Sequence, residues 1–224
     1  MQQFEMIIHG GHLLLSETNR LWVLDTGAPT SFGSHKHLEI CGLVHPLEEK
    51  YMGLDASQLS SNLNLEVTGL IGGDILGQYD THWDCRQEAI SFTRDEIIPK
   101  GNLINLGFVM GIPTVSVKIS DEVQTWFFDT GANICYVCEQ PTSWDRPISQ
   151  HEDFYPGYGS FQTEVFDAEI CLQNFSKIVK CGVLPEILGL SLSIGGCEGI
   201  LGISEMLDSD FYYSPRNRKL FLNG

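Results

Sequence analysis

One tripeptide occurs twice in this chain of 224 residues, as Asp25-Thr26-Gly27 and as Asp129-Thr130-Gly131. Each copy directly follows a run of apolar and aromatic residues, and each is followed by an alanine. The copies lie 104 residues apart, so they occupy matched places in two halves of the chain. Glycine at the third position permits backbone conformations that a Cβ would forbid. The pattern predicts two carboxylates, each held rigidly where a buried strand ends in a tight turn.

Further matches indicate that the chain is an internally duplicated unit, a possibility that is considered before any other fold. A shift of 104 residues aligns the early segments, and a shift of 130 aligns the later ones. The matched pairs are Ser16-Glu17 with Ser120-Asp121, Tyr51-Met52-Gly53 with Tyr155-Pro156-Gly157, Leu70-Ile71-Gly72-Gly73 with Ile200-Leu201-Gly202-Ile203, Asp80 with Asp210, Arg86 with Arg216, Ile90 with Leu220 and Phe92 with Leu222. The change of shift predicts an insertion of about 26 residues in the second half, between Tyr158 and Ile200.

The duplication predicts two structural units, each of a common domain size. We place an N-terminal unit at residues 1–100 and a C-terminal unit at residues 101–224, with the boundary near the turn-prone stretch 99–102. The predicted insertion includes Leu184–Leu190 and Gly195-Gly196. It is expected to be either a surface loop or an element that shapes the substrate site.

Short apolar runs separated by turn residues predict an all-β fold. Hydrophobic residues make up 42% of the chain and there are 23 glycines, which provides for a core and for many turns. The first three strands are expected at Phe4–Ile8, Leu13–Leu15 and Leu21–Leu24, and the third leads directly into Asp25.

Asp74 and Ser204 occupy equivalent positions just after the two glycine segments. Side-chain oxygens of this kind commonly cap the N-terminus of a helix. We therefore expect short helices over residues 75–79 and 205–207, and we interpret Asp74 as a cap and not as a catalytic group.

The chain is strongly acidic, with 13 Lys and Arg against 29 Asp and Glu and a net charge of −16. This balance argues against nucleic acid and against an anionic membrane as partners, because both attract clustered positive charge. No apolar run approaches the length of a membrane span. The first residues lack a basic segment followed by a long apolar one, so no signal peptide is recognised and a cytoplasmic location is expected. Processing from a longer precursor remains an open alternative.

Two short motifs could suggest metal or redox chemistry, namely His35-x-His37 and Cys135-x-x-Cys138. A single pair of either kind is short of the four ligands that a structural zinc site requires. The odd total of seven cysteines, without a secretion signal, favours reduced thiols. We therefore predict no metal site and no cofactor.

The two tripeptides and the later apolar-apolar-glycine segments resemble the aspartic protease clan, which contains pepsin-like and retroviral enzymes. Leu70–Leu76, Ile200–Met206 and the alanine after each Asp-Thr-Gly are most similar to the retroviral members, whereas two copies in one chain are similar to pepsin. The resemblance implies an all-β, bilobal acid protease fold with two pseudo-twofold-related β-barrel-like lobes and a cleft between them. It implies a monomer with an internal pseudo-dimer.

The resemblance also assigns roles within the two loops. Asp25 and Asp129 would be the catalytic pair. Each threonine hydroxyl, on Thr26 and Thr130, would bond to the opposite loop. Gly27 and Gly131 would let the backbone approach the carboxylates.

A hairpin that covers the substrate, called a flap, is a further feature of the resembled family. The segments with Tyr51 and Gly53 in the first half, and with Tyr155 and Gly157 in the second, match it. Each could equally be an ordinary β-turn beside an aromatic residue. Their matched placement favours two flaps that contact the substrate.

The function implied is that of an aspartic endopeptidase, which hydrolyses a polypeptide substrate with a water activated between two aspartates. The alternative is a catalytically silent protease-fold module that binds peptides. Both tripeptides are intact, which favours the enzyme. Ala28 and Ala132 offer no hydroxyl to stabilise the ionised pair, so we expect activity in mildly acidic conditions, roughly pH 4 to 6.

Overall fold

The structure is a computed structural model and describes residues 1–97, 99, 101–173, 175–207 and 209–223. Within these residues the chain is mostly β, as the sequence predicts. The first half contains β1 (Gln2–His9), β2 (His12–Glu17), β3 (Arg20–Leu24), β4 (Phe32–Gly33), β5 (His37–Ile40), β6 (Leu43–Pro46), β7 (Lys50–Tyr51), β8 (Leu54–Asp55), α1 (Ala56–Leu63), β9 (Gly69–Ile71), α2 (Gly73–Leu76), β10 (Asp80–Asp84) and β11 (Ala89–Thr93). The second half contains β12 (Asn102–Asn105), β13 (Gly107–Val109), β14 (Ile112–Ile119), β15 (Glu122–Phe128), β16 (Cys135–Val137), β17 (Ser149–Tyr155), β18 (Gly159–Leu172), β19 (Phe175–Val183), α3 (Glu186–Ile194), β20 (Gly199–Leu201), β21 (Asp210–Ser214) and β22 (Lys219–Leu222), with short 3₁₀ helices at Ser204–Met206 and Pro215–Asn217. Lys100, where the unit boundary was predicted, lies outside the described residues.

Each half places one parallel strand pair beside its Asp-Thr-Gly loop. β3 pairs in parallel with β9, and β15 pairs in parallel with β20. The pairing carries through to the first residue of each loop, because the N–H of Asp25 donates to the Ile71 carbonyl and that of Asp129 donates to the Leu201 carbonyl, both at 3.0 Å. The apolar-apolar-glycine segments therefore lie directly beside the aspartates.

The strands form two large sheets, and one of them contains strands from both halves. The ten-stranded sheet has the order β12-β22-β21-β10-β11-β1-β2-β3-β9-β4, and the eight-stranded sheet has the order β13-β14-β15-β20-β16-β19-β18-β17. Strands β10 and β21 join the halves in antiparallel register, with Thr81 opposite Tyr213 and Trp83 opposite Phe211. A shift of 130 residues exchanges these two pairs, so the junction follows the internal duplication.

Aromatic residues at this junction build the main hydrophobic core. Trp83 stacks on Phe211 with ring centroids 5.1 Å apart, and Phe128 meets Phe211 edge-on at 6.2 Å. All three side chains are buried. Because Phe128 directly precedes Asp129, the core that joins the halves also supports one of the two loops.

The predicted equivalence of Ser16-Glu17 with Ser120-Asp121 is wrong, because the first-half turn that matches Ser120-Asp121 lies two residues later than Ser16-Glu17. The turn residues with matching left-handed backbone are Thr18 and Asn19 (φ 47° and 67°) in the first half and Ser120 and Asp121 (φ 47° and 69°) in the second. Strand β15 has seven residues where β3 has five, so the turn precedes its tripeptide by two more positions in the second half.

The predicted capping roles of Asp74 and Ser204 are also wrong. Helix α2 begins with Gly72 as its N-cap, and Asp74 lies inside its first turn. The Asp74 carboxylate instead accepts from the N–H and the hydroxyl of Ser31, at 3.0 and 2.5 Å. Ser204 begins a single 3₁₀ turn, and no side-chain cap precedes it.

The inserted residues form a hairpin inside the predicted window of residues 158–200, but the expectation that they include Leu184–Leu190 and Gly195-Gly196 is wrong. Helix α1 and helix α3 are related by the 130-residue shift, so the change of shift occurs before Glu186. Long strands β18 and β19 supply the additional residues, and β18 also pairs with β14. The segment from 186 onward is the counterpart of α1 and does not belong to the insertion.

Candidate active site

The two Asp-Thr-Gly loops face each other with their carboxyl groups in contact. The Asp25 and Asp129 side chains lie close enough that each shifts the pKa of the other. A Cβ on Gly27 would overlap the Asp129 carboxyl, and one on Gly131 would overlap that of Asp25. Glycine is therefore required at both positions for the loops to approach this closely.

Thr26 and Thr130 hold the loops together through a reciprocal set of hydrogen bonds. The Thr26 hydroxyl donates to the Phe128 carbonyl at 2.7 Å, and the Thr130 hydroxyl donates to the Leu24 carbonyl at 2.9 Å. Each hydroxyl oxygen also accepts from the backbone N–H of the other threonine at 3.0 Å. Both residues are fully buried. These bonds fix the separation of the two strand ends that carry the aspartates.

Backbone N–H groups point at both carboxylates. Gly27 and Ala28 donate to Oδ1 of Asp25 at 2.8 and 2.9 Å. Gly131 donates to Oδ1 of Asp129 at 2.8 Å. Such bonds favour the ionised form of a carboxyl group.

Burial acts in the opposite direction and is the larger effect. Loss of solvation raises the pKa of Asp25 above its ordinary value, although the hydrogen bond with Asp129, the two backbone N–H groups and the charge of His12 oppose this. The pKa of Asp129 is raised well above its ordinary value by burial and by the charge of the neighbouring Asp25. Two carboxylates in contact cannot both ionise cheaply, so the pair retains one proton over a wide pH range.

A cleft of about 560 Å³ opens over the pair and is lined by both halves. A large part of its first-half wall is apolar and is supported by a small core cluster. The residues that share the cluster and the cleft are Val23, Phe32, Leu54, Leu59 and Leu70. The second-half wall is built around Tyr136, Leu184 and Ile200.

The predicted flap segments are both hairpin ends that reach the cleft. Strands β7 and β8 form one around Met52 and Gly53, and strands β17 and β18 form the other around Gly157. Gly53 and Gly157 each have φ of 81°, which a glycine adopts without strain. A Cβ on Gly157 would lie 3.2 Å from Cε of Met52, so the two tips meet across the cleft.

Of the predicted contact residues, Tyr51 and Tyr155 line the cleft, whereas Gly53 and Gly157 do not. Burial and the charge of Asp25 raise the pKa of Tyr51, and burial and the charge of Asp129 raise the pKa of Tyr155, so each hairpin brings a tyrosine near the carboxyl pair. The glycines shape the turns.

Eight polar residues of the cleft were missed by the sequence analysis: His9, His12, Asn62, Asn133, Tyr136, Glu152, Asp153 and Ser160. Signals existed for two of them. Tyr136 lies 104 residues after Phe32 and therefore matches it in the duplication. Asp153 lies two residues before Tyr155, so the side chains of Asp153 and Tyr155 lie on the same face of a strand.

His12 belongs to the first half but interacts with groups of both halves. Burial lowers the pKa of His12, while the carboxylates of Asp153 and Asp25 and a hydrogen bond with the Gly131 backbone oppose that change. His12 therefore lies at one end of the cleft, close to the catalytic candidates.

The His and Cys motifs lie away from this cleft. The side chains of His35 and His37 are exposed. Cys138 is a free thiol whose Sγ lies 3.8 Å from the Cys197 carbonyl oxygen. Among the described residues, no group of three or more His, Cys, Asp or Glu side chains is arranged to hold a metal ion.

No protein-family model matches the chain, and no curated protein matches it either. In the part of the chain that the structure describes, helices are too short or too polar to cross a lipid bilayer.

Proposed function

We propose that this protein is an aspartic endopeptidase that hydrolyses polypeptides, with a bilobal fold of the pepsin and retropepsin kind. The observation that carries the proposal is the pair of facing carboxyl groups of Asp25 and Asp129, each packed against the glycine of the opposite loop and held by reciprocal threonine bonds in the lining of a cleft. The β10–β21 junction, whose register follows the duplication, supports the pseudo-twofold arrangement of two lobes.

The chemistry requires one proton shared between two carboxyl groups. The ionised member removes a proton from a water molecule as that water attacks the scissile carbonyl. The protonated member donates a hydrogen bond to the carbonyl oxygen, and it becomes ionised when its proton passes to that oxygen. The first member, now protonated, then delivers its proton to the leaving nitrogen as the C–N bond breaks, and a hydroxyl of the tetrahedral intermediate returns its proton to the second member, which restores the singly protonated pair.

The protein supplies the setting for these steps. Burial keeps one carboxyl protonated well above the pH at which a free aspartate ionises. The N–H groups of Gly27 and Ala28 hold Oδ1 of Asp25, and the N–H group of Gly131 holds Oδ1 of Asp129, which fixes the orientation of both carboxyl groups. Tyr51 and Tyr155 lie over the cleft, where a peptide backbone would be enclosed.

Replacing either aspartate tests the proposal. Asp25→Asn and Asp129→Asn should each reduce kcat/KM on a peptide substrate by about 10³-fold or more, and the double variant should be no worse because the two groups act as one unit. Cleavage is followed by mass spectrometry of a peptide library, and circular dichroism verifies folding. Asp121→Asn, at a side chain that is 97% exposed, is the matched control and should retain full activity.

The alternative, a silent peptide-binding module, gives a different result. It predicts peptide binding by the parent protein without cleavage at any pH. Substantial residual cleavage in either single variant would instead mean that another group performs the hydrolysis.

A further inference from the structure

The two walls of the cleft differ in polarity, although the duplication relates them. Phe32 and Tyr136 occupy equivalent positions, 104 residues apart, and both line the cleft. Tyr136 adds a hydroxyl group, which donates to Oδ2 of Asp153 at 2.5 Å. The position equivalent to Asp153 in the first half is Glu49, which is exposed and does not line the cleft. The fold therefore does not require an inward carboxylate at this position.

Asp153 is a partly buried carboxylate, with 21% of its side chain exposed. Its Oδ1 accepts from the Phe154 N–H at 2.7 Å, and its Oδ2 accepts from Tyr136. Both donors are neutral. A carboxylate has about four acceptor positions, so Asp153 retains capacity for further donors.

The imidazole groups near Asp153 are weak candidates for its counter-ion. The His151 Nε2 atom lies 4.0 Å from its Oδ2, which is beyond hydrogen-bonding distance. His12 interacts with it electrostatically, but burial lowers the pKa of His12 and so extends the pH range in which that ring is neutral.

Carboxyl groups outnumber the possible cations among the described residues of the cleft, which are the imidazoles of His9 and His12. Four of the described residues that line it carry carboxyl groups, and none of them is a lysine or an arginine. The four are Asp25, Asp129, Glu152 and Asp153. A buried acceptor without a partner, Oδ1 of Asn133, lies in the same cleft. These groups are complementary to a ligand that carries positive charge and hydrogen-bond donors.

We infer that the second-half wall of the cleft is a subsite for a cationic side chain of the substrate, lysine or arginine, with Asp153 as its counter-ion. The apolar first-half wall takes an apolar side chain of the same peptide. The inference rests on the proposed peptidase function for its setting, since it names the class of peptide that the same cleft would accept. Asp153 would then be a specificity-determining residue and not a member of the catalytic pair.

The test uses octapeptides with a central Leu-Phe pair on an alanine background. Each flanking position carries lysine, norleucine or glutamate in turn, so that charge changes while chain length is nearly constant. For the parent protein, at least one position should favour lysine over norleucine by about 10- to 100-fold in kcat/KM, with glutamate the poorest, as expected for a hydrogen bond to a charged group. Absence of a lysine preference at every position overturns the inference without any need for a variant.

Two isosteric variants localise the effect. Asp153→Asn should reduce the ratio of lysine to norleucine to about one, and the ratio is the readout because any general effect of the variant on cleavage acts on both peptides. Asp167→Asn makes the same chemical change at an exposed position of β18 in the same hairpin and should leave the ratio as in the parent. An unchanged ratio in Asp153→Asn would refute the assignment of Asp153.

Fluorescence anisotropy with the same labelled peptides separates the two proposals. If the parent protein cleaves none of them, the peptidase proposal fails, and the subsite is judged by binding alone. Tighter binding of the lysine peptide by the parent than by Asp153→Asn supports the subsite, and equal binding by the two proteins overturns it.

Discussion

Thr26 and Thr130 illustrate how much a single side chain contributes to this site. Each hydroxyl donates to a carbonyl of the opposite strand and accepts from the opposite threonine N–H. Serine could make the same bonds, whereas valine has the same shape but can make none of them. The hydroxyl therefore fixes the loops through polar contacts that packing cannot replace.

Thr26→Val is expected to destabilise the protein by about 2 to 5 kcal/mol, because it leaves the Phe128 carbonyl and the Thr130 N–H buried without partners. Thr26→Ser keeps both bonds and should cost about 1 kcal/mol or less, mainly from the lost methyl group. Urea unfolding of the parent and of both variants gives the comparison. Equal stability of the valine and serine variants would show that these hydrogen bonds contribute nothing.

The residues of the candidate site differ in how far the sequence could predict them. Asp25 and Asp129 could be predicted because a tripeptide is repeated at the ends of two apolar strands. For Asp153 the two-residue spacing from Tyr155 indicates the face of the strand, but its bond with Tyr136 could not be predicted, because that contact joins residues 17 positions apart with no local pattern. The predicted cap at Asp74 failed for a similar reason, since Ser31 comes from another part of the fold.

At the level of elements, one ion pair connects β10 of the first half to the 3₁₀ turn after β21 of the second. Arg216 donates to Oδ1 of Asp80 from Nε at 3.2 Å and from Nη2 at 3.0 Å. The Asp80 side chain is fully buried, and its Oδ2 accepts from the Ile97 N–H at 3.2 Å. In the duplication Asp80 matches Asp210, and Arg216 matches Arg86. In the structure Asp80 and Arg216 bind each other.

Arg216→Met should destabilise the protein by about 3 to 5 kcal/mol, because it leaves a buried carboxylate without its counter-ion. Asp80→Asn combined with Arg216→Met removes that charge as well and should recover a large part of the loss. Urea unfolding at pH 7 measures both. If the double variant loses as much unfolding free energy as Asp80→Asn and Arg216→Met lose together when measured singly, the two residues do not interact.

The strands were more predictable than the helices, for a physical reason. β3 and β15 are short apolar runs that end at a turn, so their boundaries are visible in the sequence. Helix α1 buries only Ala56 and Leu59 and is otherwise polar, which gives a weak helical pattern. Helix α3 is apolar on its exposed side as well as its buried side, so no periodicity marks it.

For the molecule as a whole, the site exists only where both halves meet. Each half supplies one aspartate, one threonine and one wall of the cleft. The ten-stranded sheet contains the strand that leads into Asp25, the eight-stranded sheet contains the strand that leads into Asp129, and the threonine bonds join the two strand ends. The duplication gives the two halves a similar backbone, whereas equivalent positions in the cleft carry different side chains, such as Phe32 and Tyr136.

The last prediction concerns how the whole molecule responds to pH. Hydrolysis requires the pair to carry one proton, so activity rises with pH as the first proton leaves and falls as the second leaves. Burial raises the pKa of both Asp25 and Asp129, and the net charge of −16 adds a negative potential that also disfavours ionisation. We therefore expect a bell-shaped profile of kcat/KM against pH, centred at roughly pH 4 to 6. Its acidic and its basic limb should both lie at higher pH than in a site rich in hydrogen-bond donors.

Serine variants of the two alanines test the cause of that displacement. Ala28 already donates its N–H to Asp25 at 2.9 Å, and a serine hydroxyl there would add a donor to the ionised pair. Ala28→Ser and Ala132→Ser should each shift the acidic limb to lower pH, because a donor to the charged form lowers the pKa. The pH dependence of kcat/KM on one peptide, measured for the parent and both variants, decides the matter. A parent optimum near pH 2, or unmoved limbs in both variants, would show that burial and missing hydroxyl donors do not set the working pH.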